Sequence, residues 1–262
     1  MHVSRYNLLL AVFKWSQKKI NQNLFNNLSF SYLSDHYLSN KENNKMENIS
    51  LSQIPLILPG SLENRRTEFR NYINSSIQNI KIFADKYGWI DLTEDRFMDS
   101  VMIFDNKSEF NIALLKLINA GTLIQLPETY CGALEKRTLI AVTPEIYTKV
   151  YPEGVELNSY EKLLTHEIAH QLHIRILEGD ENSMGPVWFY EGFAIFAADQ
   201  FTDSDIKLTK DEMAKIMLSE ERNSYIKYNY IFRYFAKRFP LKELILKAKD
   251  ENFSEELIMM IE

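Results

Sequence analysis

The sequence is short of several things. It holds one cysteine, Cys131, so no intramolecular disulfide can form and the fold does not depend on an oxidising compartment. Eight glycines and seven prolines in 262 residues are about half the usual share, which leaves few turn formers, favours long helices and argues against an all-β sandwich. Thirty basic residues stand against 36 acidic ones, for a net charge of -6, so the electrostatic footprint of a nucleic-acid binder is missing and no such partner is expected. Long apolar runs are missing too. Residues 6–13 (YNLLLAVF) fall far short of the ~20 residues of a membrane helix, and Lys14 breaks the run with no small-residue cleavage site behind it. No membrane association is expected, and without a clear signal peptide the chain reads as cytoplasmic.

What is present is the balance of a globular protein, with 45% hydrophobic and 25% charged residues. An amphipathic helix is expected over residues 5–20, with Lys14, Lys18 and Lys19 on its basic face, followed by an Asn-rich arm to about residue 50. A boundary near Pro55 and Gly60 separates this arm, residues 1–57, from a main domain of residues 58–262. Within that domain an α/β part (58–156) precedes a helical part (157–262). Phe69, Ile73, Ile77, Ile80 and Phe83 recur at helical spacing and predict a helix over 61–87, ended by Gly88. The runs SVMIF (100–104) and TLIAVT (138–143) read as strands, with a helix after Asp105-Asn106 running to Ile118. Further helices are expected at about 158–178, 187–201, 208–219, 222–238 and 240–260. Two strands in a helical surround make the fold class α+β.

Five histidines are few, but three of them, His166, His170 and His173, lie within eight residues. Residues 165–170 read Thr-His-Glu-Ile-Ala-His, an H-E-x-x-H pattern. On a helix, positions i and i+4 share a face, so His166 and His170 can direct their imidazoles at one metal ion. Glu167 then sits beside the open side of the metal as a general base. Leu163, Leu164, Ile168, Leu172 and Ile176 supply the apolar face that would embed the helix. The metzincin third histidine is excluded, because HEIAHQLHIRI has neither its glycine nor its final histidine. Instead Glu191 follows within VWFYEGFA, behind Gly185-Pro186, which break the chain and let a second helix return to the first. A carboxylate among Trp188, Phe189, Phe193 and Phe196 would be costly without a partner, and a metal held by His166, His170 and Glu191 removes that cost. His173 reads as a residue at the rim of the site or one supporting the ligands, rather than a ligand, Cys131 as inert, and Lys237, Arg238, Lys242 and Lys247 as a solvated helix face.

HEIAH followed by VWFYEGFA resembles the gluzincin metallopeptidases, in particular the small peptidase-MA-like domains related to the aminopeptidase-N catalytic domain. Ser108-Glu109-Phe110 behind SVMIF and Gly132-Ala133 before TLIAVTP occur in the order of such domains, over residues 60 to 240. The resemblance implies a small sheet with an edge strand followed by a mostly helical, thermolysin-like zincin domain. It implies one Zn²⁺ per chain and a peptide or protein substrate lying along 138–143 as the edge strand. It also implies a tyrosine that steadies the oxyanion, Tyr225 by spacing, with Tyr228 the alternative. No GxMEN-like exopeptidase motif precedes the site, and Ile195 stands where some relatives carry an orienting Asp. The expected function is therefore zinc-dependent hydrolysis of peptide bonds, endopeptidase in type, with a metal-activated water and Glu167 as base. A catalytically silent zinc-containing scaffold and a zinc hydrolase of a non-peptide amide or ester are the alternatives. Such domains are often found outside the cytoplasm, which leaves the compartment open. Oligomeric state is left open as well.

Overall fold

The computed structural model describes residues 54–120, 124–222 and 224–262. The helix expected over 5–20 and the Asn-rich arm lie outside them. The architecture is mixed α+β: a small four-stranded sheet in the first half of the described residues, and helices alone from residue 143 onward. The strands are β1 (Leu56–Ile57), β2 (Ser100–Phe104), β3 (Gly132–Glu135) and β4 (Thr138–Val142), in the order β1-β2-β4-β3. β1 and β4 both run parallel to β2, and β3 is antiparallel to β4.

The expected helix over 61–87 begins as a 3-10 turn, Gly60–Arg65, and becomes α1 only at Arg66–Lys86. Phe69, Ile73, Ile77, Ile80 and Phe83 all lie on its buried side, as their spacing requires. α2 (Lys107–Leu117) is started by Asn106, whose side-chain oxygen accepts from the backbone N–H groups of Ser108 and Glu109.

Three features depart from expectation. Thr138 to Val142 is not an edge strand: it lies between β2 and β3, with both edges paired, so no peptide can add along it. The outer strand on that side among the described residues is β3, which lies outside the two strand-like runs of the sequence. β3 turns into β4 through Lys136 and Arg137, both at positive φ (46° and 62°), the backbone of a type I′ hairpin without its usual Asn-Gly. Arg137 is held there by a salt bridge to Asp99 and a hydrogen bond to the carbonyl of Arg96. A short helix, α3 (Pro144–Val150), was also not anticipated.

The helical part consists of α4 (Ser159–Ile176), α5 (Val187–Ala197), α6 (Lys210–Met217), α7 (Tyr225–Ala236), α8 (Leu241–Lys247) and α9 (Phe253–Met259). The single helix expected over 240–260 is thus two, separated at residues 248–252. The break lets Ala248 pack against Gly185, where a Cβ would meet the Ala248 Cβ at 2.8 Å. Gly185 has φ +85°, so both its conformation and the space around it exclude a side chain.

α4 is the centre of the molecule, packed between α1 and α5 with the sheet beside it. Ser76 of α1 donates to the carbonyl of Glu161, and Tyr160 donates to the carbonyl of Val142, which ties α4 to one helix and one strand. α5 is apolar nearly all round: Trp188, Phe189, Phe193, Ala194 and Ile195 are at most 1% exposed. Trp188 stacks on Phe253, and its indole N–H donates to Ser254. Each such large side chain contributes about 1.5–3 kcal/mol on burial, so α5 is firmly held in the core. No helix among the described residues is long and apolar enough to cross a membrane.

Candidate metal centre

α4 and α5 carry the candidate ligands. His166 and His170, one turn apart on α4, bring their Nε2 atoms to 3.2 Å of each other, with ring planes at 85°. Glu191, in the second turn of α5, places Oε2 at 3.2 Å from Nε2 of His166 and 3.8 Å from Nε2 of His170. The three side chains are 7%, 12% and 1% exposed. Three donors around one zinc ion, each at about 2.05 Å and near tetrahedral, stand about 3.3 Å apart. Two of the observed separations, both 3.2 Å, match that spacing, and the third, His170 to Glu191, is longer at 3.8 Å.

Donor chemistry gives the same answer. Nδ1 of His166 lies 2.9 Å from Oε1 of Gln200. An amide oxygen only accepts, so Nδ1 is protonated, and in the neutral ring Nε2 presents its lone pair. That lone pair faces Oε2 of Glu191, a buried oxygen that accepts no hydrogen bond. Two electron-pair donors held this close in a buried site call for a cation between them, either a proton on Nε2 or a metal ion. His166, His170 and Glu191 are thus a set that could hold a metal ion.

The other oxygen of Glu191 is engaged separately. Oε1 accepts from Nη2 of Arg222 at 2.8 Å. Burial would raise the Glu191 carboxyl, but the guanidinium of Arg222 and the two imidazoles hold it far below the usual carboxylate range. For His166, burial acts to lower the pKa, and Glu191, Glu167 and Gln200 together reverse it, leaving the imidazole raised.

Glu167 leaves the ligand set and lies against the sheet. A Cβ on Gly132 would stand 3.1 Å from Cγ and 3.2 Å from Oε1 of Glu167, so the absence of a side chain at Gly132 is what admits the carboxylate beside the outer strand. Tyr225, in the first turn of α7, sets its ring 5.8 Å from that of His166, and its hydroxyl accepts from Nη1 of Arg222 at 2.7 Å. Burial keeps the Tyr225 phenol protonated in spite of the neighbouring guanidinium. Tyr228 does not share this position: its hydroxyl is turned to the carbonyl of Glu221, 3.4 Å away.

His173 is not at the rim. It is fully buried, its ring 4.4 Å from Phe193 and 6.0 Å from Phe189, because it lies on the face of α4 that packs on α5. Ile195 is a core residue, and the orienting role at His166 falls to Gln200, nine positions after Glu191. Neither Gln200 nor Arg222 was singled out from the sequence. The signal for Arg222 was its place three residues before Tyr225, while Gln200 had none, since its approach depends on how the chain turns after α5.

Comparison with known proteins returned no matching family model, no matching curated protein and no matching solved structure.

Proposed function

We propose that the chain is a zinc-dependent peptide-bond hydrolase of the gluzincin type. The observation that carries this reading is the separation of roles among the carboxylates and imidazoles. Three donors converge on one point, and a fourth group, Glu167, stands beside them next to the outer strand of the sheet. A metal held only for stability has no use for such a base, which favours hydrolysis over a silent scaffold.

His166, His170 and Glu191 would hold the ion, which when bound supplies the Lewis acidity that polarises a carbonyl and acidifies water. Glu167 accepts the proton of the attacking water at its carboxylate and passes it to the leaving nitrogen. Tyr225, protonated and beside His166, donates its O–H to the oxyanion that develops on the former carbonyl. An extended substrate would pair with β3, the outer strand, rather than with β4 as the sequence suggested. Gly132 then places the scissile bond against Glu167.

The experiment is a metal assay followed by peptide hydrolysis with the full chain and with Glu167→Gln. The variant should retain about one zinc per chain and lose hydrolysis by about 10²–10⁴-fold. Parent-like turnover by the variant, or no metal in either protein after zinc loading, would overturn the reading.

A further inference from the structure

Arg222 stands 31 positions beyond Glu191 in the connection between α6 and α7, yet it touches three walls of the site. Nη2 binds Oε1 of Glu191 at 2.8 Å, Nη1 donates to the Tyr225 hydroxyl at 2.7 Å, and the guanidinium lies 5.4 Å over the ring of Tyr130, two residues before β3. The side chain is 29% exposed, more than His166, His170 or Glu191. No other residue of either charge makes an ion pair with Oε1 of Glu191 among the described residues.

A carboxylate can meet a metal through one oxygen or through both, and the choice alters the number of positions left for water and substrate. In this site the choice is made by the protein. Oε1 is taken by a planar, permanently charged group, and Oε2 alone faces the histidines. The same rigid fork makes the oxygen of Tyr225 an acceptor, which leaves the phenol proton to point elsewhere.

We propose that Arg222 is a positioning residue for both halves of the site: it restricts Glu191 to one-oxygen ligation and aims the hydroxyl of Tyr225. This rests on the reading of His166, His170 and Glu191 as metal ligands. Lysine would not replace arginine here, because one ammonium cannot present two parallel donors to acceptors on different helices in a fixed plane.

The test uses the full chain loaded with Co²⁺, whose visible absorption is intense at four-coordination and weakens as coordination rises. The parent should show the intense bands. Arg222→Met should show weaker bands and bind zinc 10–100-fold less tightly, as expected when a group orienting a ligand is removed. Arg222→Lys should keep the charge but still lose the parent spectrum, and it serves as the spectral test if Arg222→Met does not fold. Tyr225→Phe should leave spectrum and zinc affinity unchanged, because the phenol is not itself a ligand. Parent-like cobalt spectra and zinc affinity in the Arg222 variants would overturn the proposal while leaving the metal site in place. A parent that binds neither metal would instead remove the reading beneath it.

Discussion

Nδ1 of His166 faces Oε1 of Gln200 at 2.9 Å, and this one contact sets which nitrogen of the ring is available to a metal. The acceptor is a neutral amide, so the ring is oriented without added negative charge. Gln200→Leu should keep the fold, since α4 and α5 stay packed on each other through their buried apolar residues, but lower zinc affinity by about 10–100-fold. Competition titration with a chromogenic chelator measures this. An unchanged affinity would mean that the packing of the α4 helix alone orients His166.

The raised His166 and the depressed Glu191 give a pH dependence of definite sign. A group whose folded pKa is raised adds stability that is complete below its unfolded value, near 6.5, and fades as pH rises through the folded value. Glu191 contributes in the opposite sense, above the usual carboxylate range, and its share is lost only as pH falls well below it. With metal removed, these two groups together place maximum stability between about pH 4.5 and 6.5. Zinc held by His166, as proposed, would displace its proton, so zinc affinity should rise between pH 6 and 8, by up to about tenfold per unit below the folded pKa. Thermal melts of the chelated protein and zinc titrations at several pH values test both signs.

On the proposed reading, Gly132 is where metal binding and turnover can be separated. A methyl at this position would meet Glu167 Oε1 at 3.2 Å and force the carboxylate to move by a few tenths of an ångström. Gly132→Ala should leave zinc content unchanged and lower kcat by about tenfold, and Gly132→Val should lower it further, because a small misplacement of a base is costly. Equal loss of zinc and activity would show that the strand, and not the base, had been disturbed.

Cys131, one residue earlier, tests the integrity of the same strand. Burial pushes its thiol up to about 12, so at pH 8 only about one molecule in 10⁴ carries the thiolate. The native protein should react negligibly with iodoacetamide over an hour and stoichiometrically once unfolded. Fast native labelling would mean that β3 opens readily.

Local information in the chain was enough for much of this protein. Spacing placed α1, α4, α5 and α7 and both longer strands, because an apolar periodicity records which side of an element will be buried. Spacing also put two imidazoles on one face of α4 and a carboxylate on the helix that returns to it. The hairpin that makes β3 the outer strand was not legible, since Lys136 and Arg137 take positive φ without the residues that usually signal it, held by contacts to Asp99 and Arg96 that come from elsewhere in the chain. The break at 248–252 depends in the same way on Gly185 packing against Ala248. His173 has the same helical spacing as its neighbours but belongs to the core, because the packing of α5 decides which histidines face the site. Gln200 and Arg222 reach His166 and Glu191 across 34 and 31 residues. The candidate ligand types are thus a property of the sequence, whereas the Nδ1 proton of His166 and the engaged oxygen of Glu191 arise only once tertiary packing brings a neutral acceptor and a cation beside them.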